Sequence, residues 1–206
     1  MSVVPDLTLT AEDGVSLEAE LTVPDGATAV VVLAHPHPLY GGSMRTGVPD
    51  DLFHSLPEAG IGGLRFNFRG VEGSGGSHDA GGAERLDVGA AVAAVPLGLD
   101  VVVCGWSFGA DVSLCVTDDR ISAWCAVAAP LGAVPVEDMA AADDPRPKLL
   151  LVPEHDQYSA PARTRDLTAT WRATTVEVLP GADHFLAGSL RVVADRVDRF
   201  VVSTTA

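Results

Sequence analysis

Hydrophobic and polar positions along this chain follow two rhythms. From Leu7 to Gly26, LTLTAEDGVSLEAELTVPDG, apolar and polar side chains alternate on either side of Asp13-Gly14. A period of two belongs to a strand with one covered face, and Asp-Gly is a tight-turn dipeptide, so the segment predicts an antiparallel hairpin. Residues 27–36, ATAVVVLAHP, form a continuous apolar run too short for a helix, which suits a strand buried on both faces. Similar runs recur at IGGLRFNF (61–68), DVVVCGW (100–106), SAWCAVAAP (122–130) and KLLLVP (148–153), and TTVEVL (174–179) alternates as a last strand. Between them the spacing turns helical. Asp50 and Asp51 are predicted to cap a short helix carrying Leu52, Phe53 and Leu56, with Gly60 past its end. Val88, Val92 and Val95 repeat at helical spacing, PARTRDLTATWR (161–172) reads as a helix, and Leu190, Val193, Val197 and Phe200 form one face of a closing helix.

A hairpin followed by strand–helix repeats predicts an α/β fold, with a mostly parallel sheet, an N-terminal antiparallel hairpin and helices on both faces. No linker, repeat or low-complexity tract interrupts the 206 residues, so 1–206 is read as a single domain. Composition narrows the function classes. A net charge of −15 repels phosphate backbones and anionic headgroups, so neither nucleic acid nor a membrane is an expected partner. No apolar stretch reaches the ~18 residues of a spanning helix, and MSVVPDLTLT lacks the basic and apolar regions of an export signal. Cys104, Cys115 and Cys125 are an odd number of thiols in apolar contexts, which fits a reducing interior. The expected location is the cytoplasm.

The glycine-rich segment RGVEGSGGSHDAGG (69–82) follows a strand, as a phosphate loop would. His78 stands where the third glycine of a dinucleotide fingerprint belongs, and no Gly-Lys-Ser/Thr occurs. It reads as a surface loop, and no cofactor is expected. The chemistry instead concentrates where strands end, the face at which sheets of this class bind ligands. The strand at 100–106 runs into Gly105-Trp106-Ser107-Phe108-Gly109, a Gly-x-Ser-x-Gly pattern. Glu154 and Asp156 follow KLLLVP, and His184 follows TTVEVL. A serine nucleophile needs a base for its proton, and the base needs a carboxylate to fix its tautomer. The order serine, acid, histidine, each just past its own strand, supplies that set.

These motifs resemble those of the α/β-hydrolases, specifically the small lidless group related to dienelactone hydrolases and short-chain serine esterases. The residues that carry the resemblance are HPHPLYGG (35–42), FNFRGVEGSGG (66–76) and GWSFG (105–109). It departs at Glu72 and Gly73, where the family pattern Gly-Val-Gly-x-Ser has glycine first. Dienelactone hydrolases use cysteine as nucleophile, and position 107 is serine, so that activity is not implied. The resemblance implies Ser107 as nucleophile, His184 as base and Asp156 as acid, with Glu154 as the rival two residues earlier. Asp183 and His155 are read as ordinary loop residues. The oxyanion hole needs two donors. One is the backbone N–H of Phe108; by analogy with His-Gly-x-Pro hydrolases the other is that of His37, with Leu39 and Tyr40 as fallbacks, since Pro36 and Pro38 have no N–H. His35 is expected to brace the loop; a zinc site built on His35 and His37 lacks further ligands. Leu39, Tyr40, Met44, Tyr158 and Phe185 are candidates for the substrate pocket, and Trp106 for packing behind the serine.

The implied activity is cleavage of a small carboxylic ester through an acyl-enzyme on Ser107. A thioesterase or peptidase would use the same trio, and a non-catalytic hydrolase-fold protein would bind a small ligand or a protein instead. Only sixteen residues, 131–146, separate the strand at 122–130 from the one near Pro147, too few for a cap domain. An open cleft taking short acyl groups is expected.

Overall fold

The computed structural model describes residues 2–205. Its sheet has eight strands in the order β1-β2-β4-β3-β5-β6-β7-β8. The first two, β1 (Ser2–Thr10) and β2 (Ser16–Val23), form the antiparallel hairpin about Asp13-Gly14, where Gly14 takes a φ of +85°. Next to β2, also antiparallel, lies β4 (Gly62–Phe66). The remaining neighbours are parallel: β3 (Ala29–Ala34) between β4 and β5 (Asp100–Trp106), then β6 (Ile121–Val127), β7 (Lys148–Pro153) and β8 (Thr174–Leu179).

The apolar runs are unbroken because both faces of these strands are covered. Val30, Val32, Val101 and Val103 pack on one side with Val88, Val92 and Val112 from α2 (Glu84–Ala94) and α3 (Phe108–Leu114). Val31, Leu33, Val102 and Cys104 pack on the other with Leu52, Phe53, Val193 and Val197 from α1 (Val48–Ser55) and α5 (Leu190–Thr204). All three cysteines are free thiols.

Two boundaries differ from expectation. Gly47, not Asp50 or Asp51, precedes α1, with a φ of +56° and so little room that a Cβ would lie 2.6 Å from the Trp106 ring. The two aspartates fall inside the first turn, where negative charge suits the helix dipole, and Asp50 pairs with Arg65. The helix after β7, α4, covers only Pro161–Leu167; Trp171 leaves it to pack against the core. Residues 131–146 form a loop with two short 3-10 turns, Val136–Asp138 and Ala140–Asp143. Among the described residues no helix is long and apolar enough to cross a membrane.

Candidate active site

At the end of β5 the chain turns into α3 on one residue. Ser107 makes that turn at φ +55° and ψ −121°, a region that costs a non-glycine residue about 1–3 kcal/mol. The glycines two positions away on either side make it possible. A Cβ on Gly105 would run into the backbone of Gly109 and Ala110, and one on Gly109 into the carbonyls of Ala34 and His35. The helix therefore seats directly on β3 and β5. Its first turn accepts through Ser107 O, from the N–H groups of Ala110 (2.9 Å) and Asp111 (3.2 Å).

The loops after β7 and β8 bring the other two groups to this serine. His184 Nε2 lies 2.8 Å from Ser107 Oγ, and His184 Nδ1 lies 2.9 Å from Asp156 Oδ2. The other carboxylate oxygen of Asp156 accepts the backbone N–H groups of Tyr158 (2.8 Å) and Ser159 (3.0 Å). With one oxygen committed to amides, the second is left to take Nδ1–H of the imidazole. That assigns the proton to Nδ1 and leaves the Nε2 lone pair toward the serine hydroxyl. The side chains of His184 and Asp156 are only 7% and 1% exposed, so water scarcely competes for the pair. Backbone contacts fix the imidazole further: His184 N–H donates to Gln157 Oε1 at 3.3 Å, and the indole N–H of Trp106 donates to His184 O at 3.3 Å.

Glu154 stands apart from this chain of bonds. It is half exposed, and its carboxylate accepts Gly181 N–H at 2.8 Å. Asp183 accepts the N–H groups of Phe185 and Leu186 in a local turn, and His155 is exposed.

The HPHP segment supplies the opposite wall. His35 is fully buried, its Nδ1 2.6 Å from Pro36 O and its Nε2 accepting Phe68 N–H at 3.0 Å. Both ring nitrogens are thus occupied by backbone, and burial pushes its pKa down to about 4. His37 accepts Leu39 N–H on its ring and Tyr40 N–H on its carbonyl. Those two amides, the fallback oxyanion donors, are therefore already used. Among the described residues the N–H groups of Phe108 and His37 have no protein acceptor, and both residues border the cleft that contains Ser107. Burial and the neighbouring His78 ring, 4.9 Å away, lower the pKa of His37. The glycine-rich loop reaches the same wall through His78, whose Nδ1 lies 2.7 Å from the buried Glu84. Glu72, at the family's glycine position, takes a φ of +45°; its carboxylate accepts from Arg45 and Asn67 at 2.9 Å each, contacts that offset the strain.

The cleft has a volume of about 720 Å3, within the range of small-molecule sites. Tyr40, Tyr158 and Phe185 line it, each at least 60% exposed, and Trp106 forms part of the wall besides backing the serine. Leu39 and Met44 do not line it, which corrects their assignment to the pocket. Leu39 projects outward from a 3-10 turn and is 70% exposed, whereas Met44 is fully buried with its N–H held by Asn67. Sequence reasoning also missed the wall made by Pro130, Gly132, Ala133 and Arg163. That wall is built from two directions. The buried carboxylate of Asp111 in α3 accepts the N–H groups of Leu131 (3.0 Å), Gly132 (2.9 Å) and Ala133 (2.8 Å). From α4, Arg163 donates to the carbonyls of Pro130 and Leu131. The only prior signal was an apolar-flanked aspartate one turn past the serine.

No family model matches the chain. An uncharacterized protein of Rickettsia prowazekii (strain Madrid E) is 28% identical over 198 residues, 90% of this chain and 82% of that protein. Among solved structures, the chain is similar to an alpha-beta serine hydrolase homologue from Coxiella burnetii, at TM-score 0.83 and 28% identity over 98% of this chain and 99% of that one. It is also similar to XC6422 from Xanthomonas campestris, described as an α/β serine hydrolase without lid, at TM-score 0.85 and 27% identity over 97% and 94%. Both likenesses support hydrolase activity.

Proposed function

Because the chain belongs to the lidless group of the α/β-hydrolase superfamily, we propose that it is a serine hydrolase that cleaves small carboxylic esters through an acyl-enzyme on Ser107. The observation that carries this reading is the continuous pair of bonds from Ser107 through His184 to Asp156, at 2.8 and 2.9 Å. In the first half-reaction Ser107 Oγ attacks the ester carbonyl carbon while its proton passes to His184 Nε2. The carbonyl π electrons move onto oxygen, which the N–H groups of Phe108 and His37 receive. Asp156 stabilises the imidazolium across Nδ1. The C–O bond then breaks, the proton on Nε2 goes to the departing alcohol, and the acyl group remains on Ser107. Water repeats the sequence: Nε2 takes its proton, the acid is released, and Ser107 regains its hydrogen.

No step requires a cofactor. The partner is a small-molecule ester acted on by one domain, in the cytoplasm. Turnover of p-nitrophenyl butyrate tests the reading: the protein should hydrolyse it, and Ser107→Ala should remove nearly all of the rate while the fold persists. Full activity of the alanine variant would refute it.

A further inference from the structure

Among the described residues, one that lines the cleft carries a permanent charge. Arg163 lies in the first turn of α4 and lines the same cavity as Ser107 and His184, while no aspartate or glutamate is among the described residues that do so. This occurs in a chain whose net charge is −15. Asp156, the nearest acid in the mechanism, is buried behind His184 with both oxygens in use.

The partners of Arg163 are unlike those of most ordered arginines in the fold. Arg45, Arg65, Arg69, Arg85, Arg146 and Arg196 each meet a carboxylate, while Arg120 and Arg172, which are held by backbone carbonyls, lie away from the cleft. Arg163 is held by neutral oxygens: Nη1 donates to Pro130 O at 2.7 Å and Ser159 Oγ at 3.3 Å, and Nη2 to Leu131 O at 3.2 Å. A guanidinium has five N–H groups, so these bonds leave Nε–H and one hydrogen on Nη2. Nε–H has no acceptor among the described residues, and a guanidinium meets a carboxylate through two N–H groups. The carbonyls of Pro130 and Leu131 hold the group in place before any ligand arrives, which limits the entropy lost on binding.

We propose that Arg163 is a specificity-determining residue that receives a carboxylate on the substrate. The preferred esters are then anionic: half-esters of dicarboxylic acids, with the charge on the acyl arm, or esters of hydroxy acids, with it on the alcohol arm. This inference rests on the reading of Ser107 as the residue that is acylated.

Two matched pairs test it. Monoethyl glutarate against ethyl pentanoate places the charge on the acyl arm; carboxymethyl butyrate against propyl butyrate places it on the alcohol arm. Product release is followed by NMR, and the ratio of kcat/KM, anionic over neutral, is taken within each protein so that any general loss of activity cancels. The wild-type ratio should exceed one for at least one pair. Arg163→Gln should lower that ratio by about tenfold, chiefly through KM. Arg163→Lys keeps the charge without the fork and should fall between the two. Raised salt should lower the wild-type ratio. A wild-type preference for the neutral ester in both pairs, or a ratio that shifts by less than about threefold in Arg163→Gln, overturns the proposal while leaving the esterase reading intact. Failure to hydrolyse any of the four esters overturns both.

Discussion

The carboxylate of Asp111 accepts the backbone N–H of Gly132 at 2.9 Å, which ties the helix that begins at Ser107 to the far wall of the cleft. Asp111 is fully buried, and two further amides share its oxygens. Asp111→Ala strands three buried or half-buried donors, so it should destabilise the protein by about 3 kcal/mol, read from urea denaturation. A loss under about 0.5 kcal/mol would mean that the loop does not depend on this anchor.

The two acids after β7 should behave oppositely. In Asp156→Asn the side-chain oxygen can remain on the amides of Tyr158 and Ser159, which turns the NH2 group toward His184 Nδ1. Nδ1 must then accept, the proton moves to Nε2, and the imidazole no longer takes the serine proton. A fall in kcat of about 10⁴-fold is expected. Glu154→Gln keeps an acceptor for Gly181 N–H and should stay within about twofold of wild type. Steady-state kinetics on a p-nitrophenyl ester decide, and the reverse pattern would move the acid to Glu154.

Stability should depend on His35 in mildly acid solution. Burial holds its pKa at about 4, against 6.5 for the exposed group. The unfolded chain therefore binds a proton as pH falls through 6.5, and the native protein binds it only near 4. The contribution of neutral His35 is complete above pH 6.5 and is lost progressively down to about 4. Each pH unit between them costs about 1.4 kcal/mol. Denaturation midpoints at pH 6.5 and 5 should show wild type losing about 2 kcal/mol more than His35→Gln. Equal losses in the two proteins would contradict this account.

Acyl selectivity should stop rising early. Between β6 and β7 the described residues form two short 3-10 turns and no cap domain, so the cleft is expected to stay open. Each methylene contributes about 0.8 kcal/mol only while it is removed from water. Across p-nitrophenyl esters, kcat/KM should be greatest among the acetyl to butyryl members. A maximum with a decanoyl or longer chain would show a tunnel.

The positions of Ser107, Asp156 and His184 relative to one another were legible because each follows a short apolar run, and parallel strands deliver their ends to one side of a sheet. The choice between Asp156 and Glu154 needed coordinates: both are acids in one loop, and only the turn taken by residues 156–159 separates their directions. Leu39 and Met44 were misassigned because a place in a strand-end loop does not say which way a side chain points: Leu39 projects outward from a 3-10 turn, and Met44 turns into the core. Arg163 escaped notice for a related reason. Its place in the cleft depends on α4 meeting the loop at 130–133, a contact between segments about 30 residues apart that no local pattern encodes. Start signals were similarly weak at α1, where the ring of Trp106, distant in sequence, makes Gly47 the entry residue.

Covalent capture of the serine is the most direct test of the central claim. A fluorophosphonate probe forms a stable phosphonyl adduct with a serine hydroxyl that a neighbouring base activates. Incubated with the protein and mapped by peptide mass spectrometry, it should label Ser107 at one adduct per chain, in step with loss of esterase activity, and label His184→Ala far more slowly. An adduct on another residue, or full activity in a protein labelled at Ser107, would contradict the account.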